Sequence, residues 1–294
     1  MRSFASDNNS GIHPSVLQAI VDANHDHCIG YGDDIWTEKA TLSLKHVFGK
    51  STEVFFVFNG TGANVLALQS CMSSYHCVLA ASTAHIAVDE CGAPEFFSNG
   101  SKLLVIPTKE GKLTPAAIRK VAHNRSDIYF PKPCVVTITQ PTESGLVYKP
   151  EEISVISAAC RDLGLKLQMD GSRFAHACAT LNCAPADITW RCGVDVLYFG
   201  GTKNGMAFGE AVIFFDAKLA EGFDFRCKQA DHLASKMWFL SAPWISVLES
   251  GAWLRNAQHA NACAQYFATR LQSTEGIGII FSVESNAVFS RHRT

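Results

Sequence analysis

The amino-acid sequence predicts an α/β fold, a mostly parallel β-sheet flanked by helices. From residue 54 to residue 215, apolar runs of strand length alternate with segments of helical period, the order that lays helices over a sheet. The run at 54–58 is apolar without alternation, as in a strand buried on both faces. Loops rich in glycine and polar side chains, at 59–62, 170–173 and 200–205, follow strand segments, and ligands of such sheets sit beyond the carboxyl ends of strands.

In chain order, His13-Pro14-Ser15 leads into a first helix whose apolar face is Val16, Leu17, Ile20 and Val21, with Pro14 in its first turn. Thr37 is placed to cap a second helix, with Ala40, Leu44, Val47 and Phe48 as its face and Gly49 as its stop. The strand at 54–58 passes through Asn59-Gly60-Thr61-Gly62 into a helix carrying Ala63, Leu66, Ala67 and Ser70, and a short strand is expected at 78–81. Thr114-Pro115 opens another helix with a cap and an N1 proline, ahead of a strand at 135–139. Pro150-Glu151-Glu152 starts a helix with acid in its first turn, as the helix dipole favours; Ile153, Ile156, Cys160 and Leu163 form its stripe and Gly164 ends it. Three more strands are expected at 165–169, 194–199 and 211–215. From Ala252 the character changes: Trp253, Ala257, Ala260, Ala264, Phe267 and Leu271 mark one long amphipathic helix, with a strand expected at 279–283. The division read from this change is an N-terminal arm and large domain over 1–250 and the start of a small C-terminal domain over 251–294. No internal repeat or low-complexity linker interrupts the chain.

Composition bounds the function. The 294 residues are 47% apolar and 18% charged, ordinary for a globular chain. A net charge of −2 gives no electrostatic reason to expect nucleic acid or an anionic membrane, so a small-molecule substrate is expected. The first seven residues lack the apolar core of a secretory signal, and the apolar runs are far too short to span a bilayer, so a cytoplasmic protein is expected. The cysteines number 11, an odd count with no C-x-x-C spacing, and several lie in apolar segments (Cys134, Cys160, Cys263). They read as reduced, buried thiols. His25-Asp26-His27 has metal-ligand side chains but no third ligand at usable spacing, and no metal is expected.

Four local features carry chemistry. An apolar strand delivers Lys203 into the turn Gly200-Gly201-Thr202-Lys203-Asn204-Gly205, where small neighbours leave room for a flat cofactor and partial burial favours a neutral, nucleophilic amine. Taken alone, a loop lysine is most often merely solvated. Gly60-Thr61-Gly62 opens a helix after a strand, so its backbone N–H groups and the Thr61 hydroxyl suit one phosphate, although a plain strand-to-helix turn has the same look. It lacks the P-loop ending, which disfavours a nucleotide. Asp170-Gly171-Ser172-Arg173 ends a strand: Asp170 can keep a heterocyclic nitrogen protonated and Arg173 can hold a phenolate or carboxylate, or the pair can simply close a turn. His85, just past the strand at 78–81, can stack on a flat ring or move a proton, or be an ordinary loop histidine. A phosphate cup, a stacking histidine, a ring-nitrogen acid and an aldehyde-binding lysine together describe pyridoxal 5'-phosphate, in the chain order of its aminotransferase-like fold.

The ordered set resembles the low-specificity L-threonine aldolases. The likeness runs from Phe4-Ala5-Ser6-Asp7 through Tyr31-Gly32-Asp33-Asp34, Gly60-Thr61-Gly62-Ala63-Asn64, Ala84-His85 and Asp170-Gly171-Ser172-Arg173 to Thr202-Lys203-Asn204-Gly205, nearly the whole chain. It implies the pyridoxal-phosphate-dependent fold type I and the cleavage of β-hydroxy-α-amino acids to glycine and an aldehyde. Lys203 would be the Schiff-base lysine, Asp170 would pair with the pyridine nitrogen, His85 would stack on the ring, and Gly60 and Thr61 would bind the phosphate. Arg173 and Ser6 would orient the ring oxygen and substrate carboxylate, Tyr31 would lie near a neighbouring subunit's site, and Lys228 would stand near the phosphate. The chain departs from the pattern at Glu143, where relatives often carry a histidine nearby; a carboxylate would then take the β-hydroxyl proton, alone or with His85. Relatives usually continue past residue 294, so the resemblance implies a small domain that is incomplete in this sequence. It also implies a homodimer or homotetramer with shared active sites. A β-eliminating lyase or aminotransferase on the same fold, or a cofactor-binding paralogue without turnover, would keep the same lysine and aspartate.

Overall fold

The computed structural model describes residues 3–49 and 52–292; residues 1, 2, 50, 51, 293 and 294, which fall within the two expected domains, lie outside the described residues. The elements are α1 (Pro14–Asp22), α2 (Ile35–Phe48), β1 (Glu53–Val57), α3 (Gly60–Cys71), β2 (His76–Ala81), the short α4 (His85–Val88) and α5 (Ala93–Phe97), β3 (Lys102–Ile106), α6 (Pro115–Ala122), β4 (Lys132–Thr139), α7 (Pro150–Asp162), β5 (Lys166–Gly171), α8 (Phe174–Leu181), β6 (Val196–Gly200), β7 (Glu210–Phe214), α9 (Phe223–Gln229), α10 (Trp238–Glu249), α11 (Ala252–Gln272), β8 (Ile277–Ile279) and β9 (Ser290–His292).

The main sheet has seven strands in the order β1-β7-β6-β5-β4-β2-β3. β3, β2, β4, β5 and β6 are parallel, while β7 runs antiparallel to β6 on one side and β1 on the other. β1 therefore points the same way as the parallel set. This geometry places the carboxyl ends of β1, β2, β4, β5 and β6 on one edge, which is where every loop singled out in the sequence begins. The mostly parallel sheet expected from the strand–helix alternation is present. β6 and β7 lie wholly buried inside it, and β6 and residues 211–214 of β7 are continuously apolar, as such burial requires.

Several local expectations change. β1 is an edge strand, and only Phe56 and Val57 of it are buried, so the run expected to be covered on both faces is half open. Asp34, not Thr37, caps α2: its Oδ1 accepts from the Trp36 and Thr37 N–H groups at 3.0 and 2.8 Å, and the Thr37 hydroxyl donates to Oδ2 at 2.9 Å. A carboxylate reaching two orphan N–H groups outcompetes a hydroxyl reaching one. α1 buries Val16 and Ala19 but leaves Leu17 and Val21 exposed. α11 is the long helix expected, yet Ala252, Ala257, Ala264 and Ala268 are its buried positions and Phe267 faces outward. The strand after it spans Ile277–Ile279 and pairs with β9, while the Val283 carbonyl is instead held by the Gln265 side chain.

The site's floor is aromatic. Phe199, on β6, packs edge-on against Phe174, Trp244 and Trp253 with ring centroids 5.3, 5.1 and 5.6 Å away. Each such pair adds about 0.5–1.5 kcal/mol beyond area burial. They anchor the strand two residues before the Gly201 turn, so the turn's position is set by rigid packing rather than by the loop itself.

Candidate active site

His85 follows the carboxyl end of β2, Glu143 that of β4, Asp170 closes β5 and Lys203 follows β6 in a one-turn 3-10 helix, Thr202–Asn204. Since β2, β4, β5 and β6 are parallel neighbours, the four side chains converge on one edge without further design. Gly60 and Thr61 open α3 beyond β1 on the same edge. Asn59 caps that helix, its Oδ1 accepting from Gly62 N at 2.8 Å. Close approach explains the glycines: a Cβ on Gly60 would stand 2.5 Å from the Tyr198 hydroxyl oxygen, and one on Gly62 would run into the His232 ring. His232 Nδ1 accepts from Phe58 N at 3.1 Å, which ties the segment after α9 to the end of β1.

Electrostatics then separates the roles available. Burial, followed by the Arg173 guanidinium, holds the Lys203 amine below the ordinary lysine range, against the opposing charges of Asp170, Asp7 and Glu210. A hydrogen bond with Glu90, 2.8 Å from Nδ1, raises the His85 imidazole despite its partial burial, and Asp170 adds to the effect. Burial raises the Glu143 carboxyl; its Oε1 accepts from the Thr139 hydroxyl and the His85 N–H, and its Oε2 is buried with no hydrogen-bond partner among the described residues. Asp170 is buried, taking N–H donors from Ser172 at 2.9 Å and Asn64 at 2.8 Å.

The remaining expected residues divide. Arg173 is present at the site, but its Nε and Nη2 form a two-pronged pair with Asp7 at 2.6 and 2.9 Å, and Asn286 also donates to Asp7 at 3.1 Å. The fork expected to meet a substrate carboxylate thus already holds a protein carboxylate. Ser6 adjoins Asp7, and its hydroxyl accepts from Asn8 N at 3.2 Å. Lys228 and Tyr31 are both exposed and pair with each other, the ammonium 4.6 Å from the ring centroid. Tyr31 holds a φ of 62°, in the left-handed region, where its N–H donates to the Ser235 carbonyl.

Sequence reasoning passed over Asp7, Asn64, Glu90 and Glu210. Asp7 and Asn64 lie inside motifs that were read for their neighbours. Glu90 stands five residues past His85 with no local pattern to mark it. Glu210, wholly buried at the start of β7, accepts from Gly201 N at 2.6 Å and so braces the Lys203 turn, while burial pushes its carboxyl up to about 7. Among the described residues no group of three or more histidine, cysteine or acidic side chains is placed to hold a metal. All 11 cysteines are free thiols; Cys160 is buried as expected, Cys134 only partly, and Cys263 is exposed on the outer face of α11. No helix among the described residues is long and apolar enough to cross a membrane.

A lysine, a strand-end acid and a histidine thus meet on the carboxyl edge of the mostly parallel sheet, as in an α/β protein that holds its ligand there. The family model for beta-eliminating lyases matches residues 3–293. A low specificity L-threonine aldolase from a Pseudomonas species is 59% identical over 288 residues, covering 98% of this chain and 83% of that protein. One from Pseudomonas aeruginosa is 57% identical over the same shares. Among solved structures, the threonine aldolase of Leishmania major superposes with a TM-score of 0.93 at 30% identity, covering 99% of this chain and 84% of that one. Oryza sativa TDC with PLP and tryptamine has a TM-score of 0.78 at 14% identity, covering 100% of this chain and 71% of that one, and so shares the fold. The chain belongs to the beta-eliminating lyase family, and its fold is that of the type I pyridoxal-phosphate enzymes.

Proposed function

We propose that this chain cleaves L-threonine, L-allo-threonine and related β-hydroxy-α-amino acids to glycine and an aldehyde, with pyridoxal 5'-phosphate as cofactor. The observation that carries the reading is a half-buried lysine of depressed pKa on the same sheet edge as Asp170 and His85, in a chain 59% identical to a low specificity L-threonine aldolase. The residues fit the cofactor. Gly60 and Thr61, at the start of a 12-residue helix, offer N–H groups to a phosphate, and the absent Cβ of Gly60 lets α3 start close against the Tyr198 hydroxyl. Asp170 offers a carboxylate to the ring nitrogen, His85 a ring to stack, and Lys203 an amine to the aldehyde carbon. When bound, the cofactor supplies an electron sink for the charge left as Cα–Cβ breaks.

The protein's own part is to place groups and move protons. Lys203, its cationic form disfavoured by burial and by Arg173, would hold the cofactor through its amine until a substrate amine displaced it. Glu143 accepts the β-hydroxyl proton, directly or through water, with His85 as its alternate. Burial brings Glu143 closer to neutral pH than an ordinary carboxyl, which suits a base, and its unpartnered Oε2 is a lone acceptor in a buried setting. Arg173 and Ser6 orient the substrate carboxylate, either beside Asp7 or in its place.

We further propose a homodimer or homotetramer in which Tyr31 and Lys228 stand near a neighbouring subunit's site and phosphate. The exposed apolar side chains Leu17, Val21, Ile35 and Leu42 on α1 and α2 support self-association. Residues 251–294 would open a smaller C-terminal unit, as supported by β8 and β9, which among the described residues form a two-stranded sheet of their own. The test is product analysis of the protein loaded with pyridoxal phosphate. Acetaldehyde and glycine from L-threonine are expected, and Lys203→Ala should abolish both turnover and borohydride fixation of the cofactor. 2-Oxobutanoate and ammonia from L-threonine, without aldehyde, would assign β-elimination instead.

A further inference from the structure

Behind the ring site a polar chain runs through the core. The Thr137 hydroxyl donates to Gln168 Oε1, and Gln168 Nε2 donates to Asn64 Oδ1 at 3.1 Å. Asn64 Nδ2 then donates twice, to Asp170 Oδ2 at 2.8 Å and to Glu90 Oε1 at 2.9 Å. Glu90 Oε1 in turn stands 2.8 Å from His85 Nδ1. β4, β5, α3 and the segment after α4 each contribute, and none of Thr137, Gln168, Asn64, Asp170 and Glu90 is more than 4% exposed. The orientation of the Asn64 amide is set by its partners: reversed, it would turn a carbonyl toward two carboxylates.

Two acids sharing one amide in a core is a costly arrangement. A buried carboxylate needs compensating donors, and Glu90 Oε2 has none among the described residues. Apolar side chains would fill the same volume without that cost. What the pair does is join the strand-end acid of the site to its histidine.

We propose that Glu90 is a positioning residue: held against Asp170 by Asn64, it fixes the plane of the His85 ring and the proton on Nδ1, so that the ring is set before the cofactor arrives. This rests on the function proposed above. The groups around His85 are Glu90 on its own segment, Asp170 on β5, Lys203 after β6, and Glu143 after β4, whose Oε1 takes the His85 backbone N–H. Glu90 and Asp170 favour the imidazolium; burial and Lys203 oppose it.

The test uses the cofactor-free protein. Diethyl pyrocarbonate acylates neutral imidazole, so the pH dependence of its rate at His85, read by peptide mass spectrometry, gives the ring's titration midpoint. In the unsubstituted protein the midpoint should lie above the ordinary histidine value. Glu90→Gln keeps the volume and removes the charge, and should lower the midpoint by about one pH unit. Glu90→Asp, which keeps the charge but draws it back, should fall between. A folded Glu90→Gln protein whose His85 midpoint does not move overturns the proposal. If Glu90→Gln does not fold, Glu90→Asp decides: a lowered midpoint supports the positioning role and an unmoved one overturns it. Because no cofactor is present, this outcome is independent of whether Lys203 captures pyridoxal phosphate or threonine is cleaved.

Discussion

Gly60→Ala tests the phosphate cup by sterics alone. The added Cβ would lie 2.5 Å from the Tyr198 hydroxyl oxygen and 3.1 Å from the ring carbon bearing it. Tyr198 cannot swing aside, since it is buried in the middle of the sheet between Asp170 and Val212. Overpacking of this kind costs about 1–3 kcal/mol. Gly60 begins α3, so alanine regains part of the helix propensity that glycine forgoes, up to about 1 kcal/mol in a helix interior and less at the first position. A net loss of about 1–2 kcal/mol should lower the melting temperature of the cofactor-free protein by about 2–4 °C at fixed protein concentration. Tyr198→Phe removes the offending oxygen and leaves the nearest atom at 3.1 Å, a contact that a shift of a few tenths of an ångström relieves. The double variant should therefore recover most of the loss, with a coupling of about 1 kcal/mol. The assay is a thermal melt of the four proteins of the cycle, followed by cofactor titration. Additive effects, with Tyr198→Phe giving no rescue, would refute the steric account.

Two further outcomes are expected. Glu143→Gln should leave cofactor capture intact and lower turnover about 10²–10⁴-fold; unchanged turnover would pass the base role to His85. Glu210 carries a folded-state value of about 7 against 4.5 when unfolded, so the native protein binds the extra proton. Its contribution to stability is fully present below about pH 4.5 and is lost as pH rises through about 7, a swing on the order of 3 kcal/mol. Urea melts of Glu210→Gln minus the parent protein, taken at several pH values, should show the variant gaining relative stability across that window; a flat difference would place the proton elsewhere.

The sheet and the edge that carries the site were legible because their signals are local. Continuous apolar strands, helix caps and glycine turns are written within a few residues, and parallel topology then forces the loops together. The cap of α2 was misplaced by three residues because Thr37 and Asp34 are both capping types and only the backbone path chooses between them. β3 escaped notice as an edge strand with an exposed lysine, and α10 because it is apolar nearly all round and carries Pro243 within it. The pairing of Asp7 with Arg173 joins residues 166 apart, and that of Asn64 with Asp170 joins residues 106 apart. Neither separation leaves a periodicity, so only the folded chain reveals that both acids are already engaged.

That engagement explains how an acid-rich site can still leave a lysine below the ordinary lysine range. Asp7, Asp170 and Glu210 all favour a charged Lys203, yet each has its own donors: the Arg173 fork for Asp7, the Asn64 and Ser172 N–H groups for Asp170, and the Gly201 N–H for Glu210. Among the described residues Lys203 itself has no ion-pair partner. Burial and the Arg173 charge are then free to dominate. Arg173→Gln removes one depressing charge and at the same moment releases the Asp7 carboxylate, so both changes push Lys203 the same way. Competitive acylation of the cofactor-free protein, read at the Lys203 peptide, should show its midpoint rising toward the ordinary lysine value, and capture of pyridoxal phosphate should require a more alkaline solution. An unmoved midpoint would mean that burial alone depresses the amine, and that the Asp7–Arg173 pair serves the substrate rather than the lysine.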